Sequence, residues 1–365
     1  MRFREFVDNY ECITLKDVSE LITKGTSPLE FSTKGIKYIK INSLNENYID
    51  NNKVSYISET VHNTVLSRSV LKENDILLAI AGSVGKHCIV QKTNLPANTN
   101  QALAIIRIKE KLLPYYLLAF LDTNYLPSYI KLICTSSAQP NLNLQQVGQI
   151  QLSIPSSAEQ KKVCKFIQLL DNRIAVQNKI IEDLKILKKE LCNVLLSGIK
   201  KYKTLGTLCT ITTGKLDANA NNTNGTYPFF TCGKETLSID CYAFDGEAIV
   251  IAGNGDIGHT KYYNGKFNAY QRTYVLMNFR GNAKFVKMCI DTYLPKKIAE
   301  ETQGGAMPYI KLSTLLSLQI PYITFAEQCN IVNQYDAIAC KLENEICLLG
   351  LLQCQKAYFL NAMFI

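Results

Sequence analysis

The 365-residue chain has only three histidines, His62, His87 and His259, and none of its thirteen cysteines stands in a Cys-x-x-Cys pair. That spacing leaves no zinc constellation to propose. Long apolar runs are also missing. The longest apolar-rich stretch, Leu112–Leu121, contains Pro114 and is too short to span a bilayer. Residues 1–20 have no apolar core of the kind a signal peptide needs, so a reduced, cytoplasmic protein with free thiols and no membrane association is expected.

Catalytic signatures are equally scarce. Gly82-x-x-Gly85-Lys86 resembles a phosphate loop only in part: Ile80 occupies the place of its first glycine, and His87 the place of the magnesium-binding Ser or Thr. There is no dinucleotide fingerprint in a strand–helix context and no Asn-Pro-Pro-aromatic methyltransferase motif. A nuclease-like carboxylate pair followed by Glu-x-Lys is absent as well. No catalytic residue, resident cofactor or metal site is therefore expected in this chain.

What is present is a duplication. From Ser156 to Leu196 apolar residues fall at Val163, Ile167, Leu170, Ile174, Ile181, Leu184, Leu191 and Leu195, with breaks at Gln177 and Lys188. The alternating steps of four and three are those of a coiled-coil helix. The stripe returns 168 positions later at Ile331, Tyr335, Ile338, Leu342, Leu349, Leu352, Phe359 and Met363, broken at Glu345 and Lys356. Each helix opens on a capping-box pattern, Ser156-x-x-Glu159 and Thr324-x-x-Glu327. Antiparallel pairing that sets Gln177 against Lys356 also sets Lys188 against Glu345 and Ile181 against Leu352. Polar seam residues specify register, so this is the register expected. Helices of this length extend about 60 Å, and antiparallel pairing would hold two heads apart with residue 1 near residue 365. Cys340, Cys347 and Cys354 lie seven apart, away from the seam and beside Ile346, Leu348 and Leu351. An apolar outer face of this kind predicts a covering partner or head.

The segments before the two helices repeat more loosely. In residues 1–155, Leu15–Thr23 suggests a short helix running into Lys24-Gly25-Thr26. Strands are expected at 37–41, 75–81, 102–108 and 150–154, and helices at 112–121 and 125–133. In residues 201–323, Leu205–Thr213 runs into Gly214-Lys215, and strands are expected at 248–253, 274–277 and 318–321. The loop Gly82–His87 matches Asn254–His259, and Gln101 matches Gln271. The fold class is α+β: two mixed α/β domains (1–155 and 201–323), each followed by a long helix (156–200 and 324–365).

The charge of +9 suits an anionic partner. Glycine loops let backbone N–H groups approach phosphates, while Lys, Asn and Gln contact phosphates and base edges. The candidate DNA-binding residues are Lys24, Gly25, Thr26, Lys40, Asn42, Ser83, Lys86, His87, Asn100, Gln101, Ser136 and Gln139 in the first domain. In the second they are Lys215, Asn254, Gly255, His259, Thr260, Gln271, Arg272 and Gln303.

The order of these parts resembles the specificity subunit of type I restriction–modification systems. The resemblance is carried by Gln139-Pro140-Asn141-Leu142 and Met307-Pro308-Tyr309-Ile310, and by Ile154-Pro155…Ala158-Glu159-Gln160 and Ile320-Pro321…Ala326-Glu327-Gln328. The strand–glycine segments 75–86 and 247–259 add to it. It implies that each domain is a target-recognition domain reading half of a split double-stranded DNA site, with the helices as the ruler between halves. It also implies two methyltransferase subunits and restriction/translocase subunits as partners. S-adenosylmethionine and ATP with magnesium would belong to those partners. The alternatives are a specificity subunit of a related combined system and a coiled-coil adaptor that does not bind DNA.

Overall fold

The computed structural model describes residues 2–45, 47–134, 140–301 and 309–364. The chain divides into two units: residues 1–178 with 348–365, and residues 179–347.

In the first unit, Glu11–Thr14 pairs antiparallel with Gln151–Ile154, closing the head at the foot of the first long helix. The expected helix over Leu15–Thr23 is confined to Leu15–Val18. The chain continues as the strand Ser19–Lys24, because backbone groups there pair with Leu103–Ile108. That strand joins Ile76–Ala79 and His87–Ile89 in a four-stranded antiparallel sheet. A three-stranded sheet follows, with Ile36–Ile39 between Ser55–Ile57 and a parallel Ala97–Thr99. The helices Pro114–Leu121 and Tyr125–Ile133 form where the apolar spacing predicts them.

The second unit repeats this order. Tyr202–Thr204 pairs with Gln319–Pro321, and a four-residue helix, Leu205–Leu208, leads into the strand Thr210–Thr213. One six-stranded sheet runs 210–213, 273–277, 244–252, 260–269, 227–230, 236–239. The strand Thr260–Ala269 runs unbroken through the region where the first unit has two strands, His87–Ile89 and Ala97–Thr99. This continuity merges what are two sheets in the first head. The helix Ala283–Glu301 packs on the sheet through Phe285, Met288, Cys289 and Ile290, and carries Pro295 inside it.

The long helices span Ser157–Ser197 and Phe325–Met363, and the first ends before Gly198 as the sequence suggests. In the first unit their halves run antiparallel. The rings of Phe166 and Phe359 meet edge-on at 5.0 Å, Phe3 packs on Phe166, and the ammonium of Lys356 lies 2.7 Å from Asp171. The two ends of the chain thus share one core, as antiparallel pairing requires. In the second unit Ile331, Val332 and Tyr335 pack with Cys192 and Leu196.

The expected register does not occur. Lys356 pairs with Asp171, six positions before Gln177. Lys188 lies 4.8 Å from the ring centre of Tyr335, ten positions before Glu345, and Glu345 takes Lys341 on its own helix. The pairing is displaced by about one heptad. Such a slip keeps apolar seam positions facing each other, so the stripe alone cannot distinguish it. The choice is made at the helix ends. There Tyr116 and Phe120 pack on Phe364, and the backbone N–H of Asn124 donates to Asn361 Oδ1 at 2.9 Å.

The capping boxes also differ. The Thr324 box is complete: its N–H donates to Glu327 at 2.9 Å, and the Glu327 N–H donates to its hydroxyl at 3.4 Å. The Thr324 hydrogen bonds hold the Glu327 carboxyl below its usual range. In the first copy the Ser156 half survives at 3.5 Å, but the Glu159 carboxylate is taken by Arg2, at 2.9 and 2.7 Å, and by the Tyr10 hydroxyl at 3.0 Å. A bidentate charged pair outcompetes a single backbone N–H. Cys340, Cys347 and Cys354 are exposed, as is Leu351.

Candidate nucleic-acid interface

In both heads the strand end that carries the candidate residues is built in the same way. Ala79 and Ala252 each accept the N–H of the second turn glycine, Gly85 or Gly258, at 2.9 Å. Each also donates its own N–H to the carbonyl of the following residue, Lys86 at 2.7 Å or His259 at 2.9 Å. The turns Gly82-Ser83-Val84-Gly85 and Gly255-Asp256-Ile257-Gly258 therefore correspond. All four glycines have left-handed φ, +73° and +91° in the first head and +62° and +77° in the second. A side chain at these positions would be strained. The apolar residue of each turn, Val84 or Ile257, packs into its head's core.

A second loop presses on the same edge. A Cβ on Gly25 would stand 2.1 Å from the Thr99 carbonyl oxygen, and one on Gly214 would stand 1.9 Å from that of Ala269. Only glycine permits this crossing, which brings Lys24 and Thr26, or Lys215, beside the loops that carry Asn100-Gln101 and Gln271-Arg272. A third loop completes the edge: Ile41 lies 3.4 Å from the Cβ position of Gly82, and the Cys232 carbonyl accepts the Asp256 N–H at 3.0 Å. Lys40 and Asn42 thus come to the turn in the first head. Lys40 lies 4.0 Å over the Phe31 ring, and the Arg68 guanidinium reaches the Thr26 hydroxyl at 3.4 Å.

In the second head a cleft is lined by Thr213, Gly253, Asn254, Gln271, Arg272, Tyr274, Tyr309 and Ile310. It gathers three expected residues and adds Tyr274 and Tyr309, which were not among the expected DNA contacts. Gln271 is steadied by a 3.1 Å bond to Asp217. Among the described residues, two buried side-chain polar atoms have no hydrogen-bond partner, Asn100 Oδ1 and Asn254 Oδ1. One belongs to each head, and both lie at this edge. An unmet buried acceptor costs about 1–3 kcal/mol.

Three expected contacts are not at the surface, the first of them Gly25, which is buried where its backbone crosses Thr99. His87 and Thr260 are each 8% exposed. The two nitrogens of the His87 ring meet the Gly85 carbonyl at 2.8 Å and the Asp122 carboxylate at 3.1 Å. The Thr260 hydroxyl donates to Asp291. The match between His87 and His259 is also corrected: His259 corresponds to Lys86, and His87 to Thr260. The pattern displaced them by one residue because histidine occurs in both loops. Burial and the neighbouring Lys261 push the His259 imidazole below its usual pKa, so it offers a hydrogen bond more readily than a charge. Ser83, Lys86, Gln101, Lys215, Gly255 and Arg272 stand exposed or half-exposed on the edge. Ser136, Gln139 and Gln303 lie outside the described residues.

The paired Ala-Glu-Gln segments have a structural role. Gln160 accepts the Leu113 N–H at 2.9 Å and donates to the Lys111 and Pro155 carbonyls at 3.1 Å. Gln328 accepts the Asn282 N–H at 2.8 Å and donates to the Ile323 carbonyl at 3.1 Å. Each glutamine ties its long helix to the loop before a head helix. Among the described residues no group of histidine, cysteine and carboxylate side chains could hold a metal ion, and no helix is long and apolar enough to cross a membrane.

Comparison with known proteins agrees with the duplication. The type I restriction enzyme EcoDI specificity subunit of Escherichia coli is 39% identical over 144 residues, covering 40% of this chain and 32% of that protein. The MjaVIII specificity subunit of Methanocaldococcus jannaschii is 28% identical over 207 residues, 55% of this chain and 48% of that protein. The chain therefore spans from a third to about half of these relatives. The crystal structure of the type I restriction–modification S subunit from M. genitalium shares the fold over the whole of this chain and 97% of its own, with a TM-score of 0.62 at 16% identity. A structure reported for complex assembly and conformational transition of the type I system gives 0.64, covering 97% of each chain, also at 16% identity. The family model for the type I restriction modification DNA specificity domain matches twice, over residues 7–185 and 199–346, and the chain belongs to that family.

Proposed function

We propose that this chain is the sequence-reading subunit of a type I restriction–modification assembly, each head reading one half of a bipartite, asymmetric double-stranded DNA target. The observation that carries this is the repetition of one edge in both heads: a crossing glycine, a Gly-x-x-Gly turn and an amide-bearing loop. The scaffold of the edge is nearly the same in the two heads, while its side chains differ. Lys86 corresponds to His259, Ser83 to Asp256, and Asn100 to Tyr270. A constant scaffold with different side chains suits two half-sites of different sequence.

Methylation and cleavage would lie with partner subunits, two methyltransferases and a translocase/nuclease, which would hold S-adenosylmethionine and ATP with magnesium. The exposed apolar faces of the long helices, with Leu169, Val176, Leu187 and Val194 on the first and Leu351 on the second, are suited to such partners. Titration of the chain, alone and with its methyltransferase, on duplex DNA at several salt concentrations separates this role from that of an adaptor. Phosphate contacts make affinity fall steeply with salt, and an adaptor would show no specific binding at any salt.

A further inference from the structure

The residue that follows each glycine turn points inward and meets an aspartate on the helical layer. In the first head this is His87 against Asp122, at 3.1 Å. In the second it is Thr260 against Asp291. Each aspartate is itself held by a lysine: Lys356 lies 3.4 Å from Asp122, and Lys287 lies 2.7 Å from Asp291. Asn47 adds a 2.7 Å bond to Asp122. The second glycine of each turn sits against the same helical layer. Its Cβ position is 2.8 Å from Ile130 in one head and 2.9 Å from Ile298 in the other. The turn is thus clamped by packing at its second glycine and by a charged hydrogen bond two residues later. The residue types differ between the heads, yet the arrangement recurs.

We propose that Asp122 and Asp291 are positioning residues for sequence reading, each fixing the height and tilt of its head's glycine turn against the DNA edge. This rests on the DNA-reading role above and names the parts that set its precision. Each aspartate acts on the edge through His87 or Thr260. The two ties are anchored differently. Lys287 belongs to the same head helix as Asp291, whereas Lys356 belongs to the second long helix and also pairs with Asp171 at 2.7 Å. In the first head the turn is therefore tied, through Asp122 and Lys356, to the helix that sets the register.

The test uses the full chain with its methyltransferase partner, on duplexes carrying the wild-type methylated motif and duplexes with one half-site scrambled. Asp291→Asn should lower discrimination at one half-site by roughly tenfold, the size of a weakened charged hydrogen bond. Affinity for random DNA, and its salt slope, should stay as in wild type. Asp122→Asn should do the same at the other half-site. Thr260→Val should behave like Asp291→Asn, and Thr260→Ser should restore discrimination. Lys287→Met, a milder change, serves if Asp291→Asn does not fold. An equal loss at both half-sites, or unchanged discrimination in folded variants, would overturn the proposal. A wild-type chain with no motif would overturn the DNA-reading role itself, so the two failures are distinguishable.

Discussion

The ammonium of Lys356 lies 2.7 Å from the carboxylate of Asp171, and this pair marks the register of the two long helices in the first unit. The same lysine reaches Asp122 at 3.4 Å. Replacing it with Met would remove one of the cations on half-buried Asp122, leaving it to His87 and Asn47. A loss of about 1.5–3 kcal/mol is expected in denaturant unfolding of the first unit. In a cysteine-depleted background, paired cysteines at 166 and 359 should cross-link, and those at 177 and 356 should not.

Acid sensitivity follows from the same cluster. Burial pushes the Asp122 carboxyl up, but the hydrogen bond from His87 and the charges of His87 and Lys356 outweigh it and hold the carboxyl below its usual range. A carboxyl depressed by folding contributes stability above its unfolded pKa, about 3.9, and loses it as pH falls toward the folded value. Wild type should lose stability below about pH 4 more steeply than Asp122→Asn. Melting temperatures of the two proteins between pH 3 and 6 check this.

Gly25 and Gly214 should tolerate no side chain. Their Cβ positions fall 2.1 and 1.9 Å from backbone carbonyl oxygens, so the neighbouring strand end must move. Gly25→Ala and Gly214→Ala should each cost about 1–3 kcal/mol and blunt one half-site only. Thermal unfolding together with binding to half-site-scrambled duplexes would show it.

Asn254 should show a trade between stability and recognition. Its Oδ1 is buried without a partner at the cleft that holds Gln271 and Arg272. Asn254→Ala removes that unmet acceptor, so stability should stay level or rise by up to about 1 kcal/mol. Recognition of one half-site should nonetheless weaken. Removing the lining cation, with Arg272→Ala, should reduce the salt slope by about one phosphate contact.

The duplicated plan was legible because long helices carry a strong periodic signal and glycine turns punctuate strands. Both helices, the end of the first at Ser197, and the corresponding strands 76–79 and 249–252 follow from pattern alone. Register was not legible, because a heptad slip preserves the stripe. It is settled by aromatic contacts at the ends, such as Phe166 with Phe359, which join residues far apart in sequence. The pattern assigns the strand Ser19–Lys24 to a helix because its stabilising partner, Leu103–Ile108, is distant in the chain. At the site, loop residues such as Gln271 and Arg272 were found from their chemistry. Asp122 and Asp291 were missed because a single aspartate in a helical stretch carries no signal until the fold brings the turn to it. His87 was misplaced for the complementary reason: its type suggests a surface contact, and only packing shows it facing inward.

The most direct test is a comparison of methylomes, by single-molecule sequencing, of cells carrying the cognate methyltransferase with and without this chain. Two heads reading separate half-sites predict one bipartite motif, with a fixed unread spacer, that is methylated only when the chain is present. An identical methylome in both cells, or loss of a continuous motif with no spacer, would contradict that division of labour.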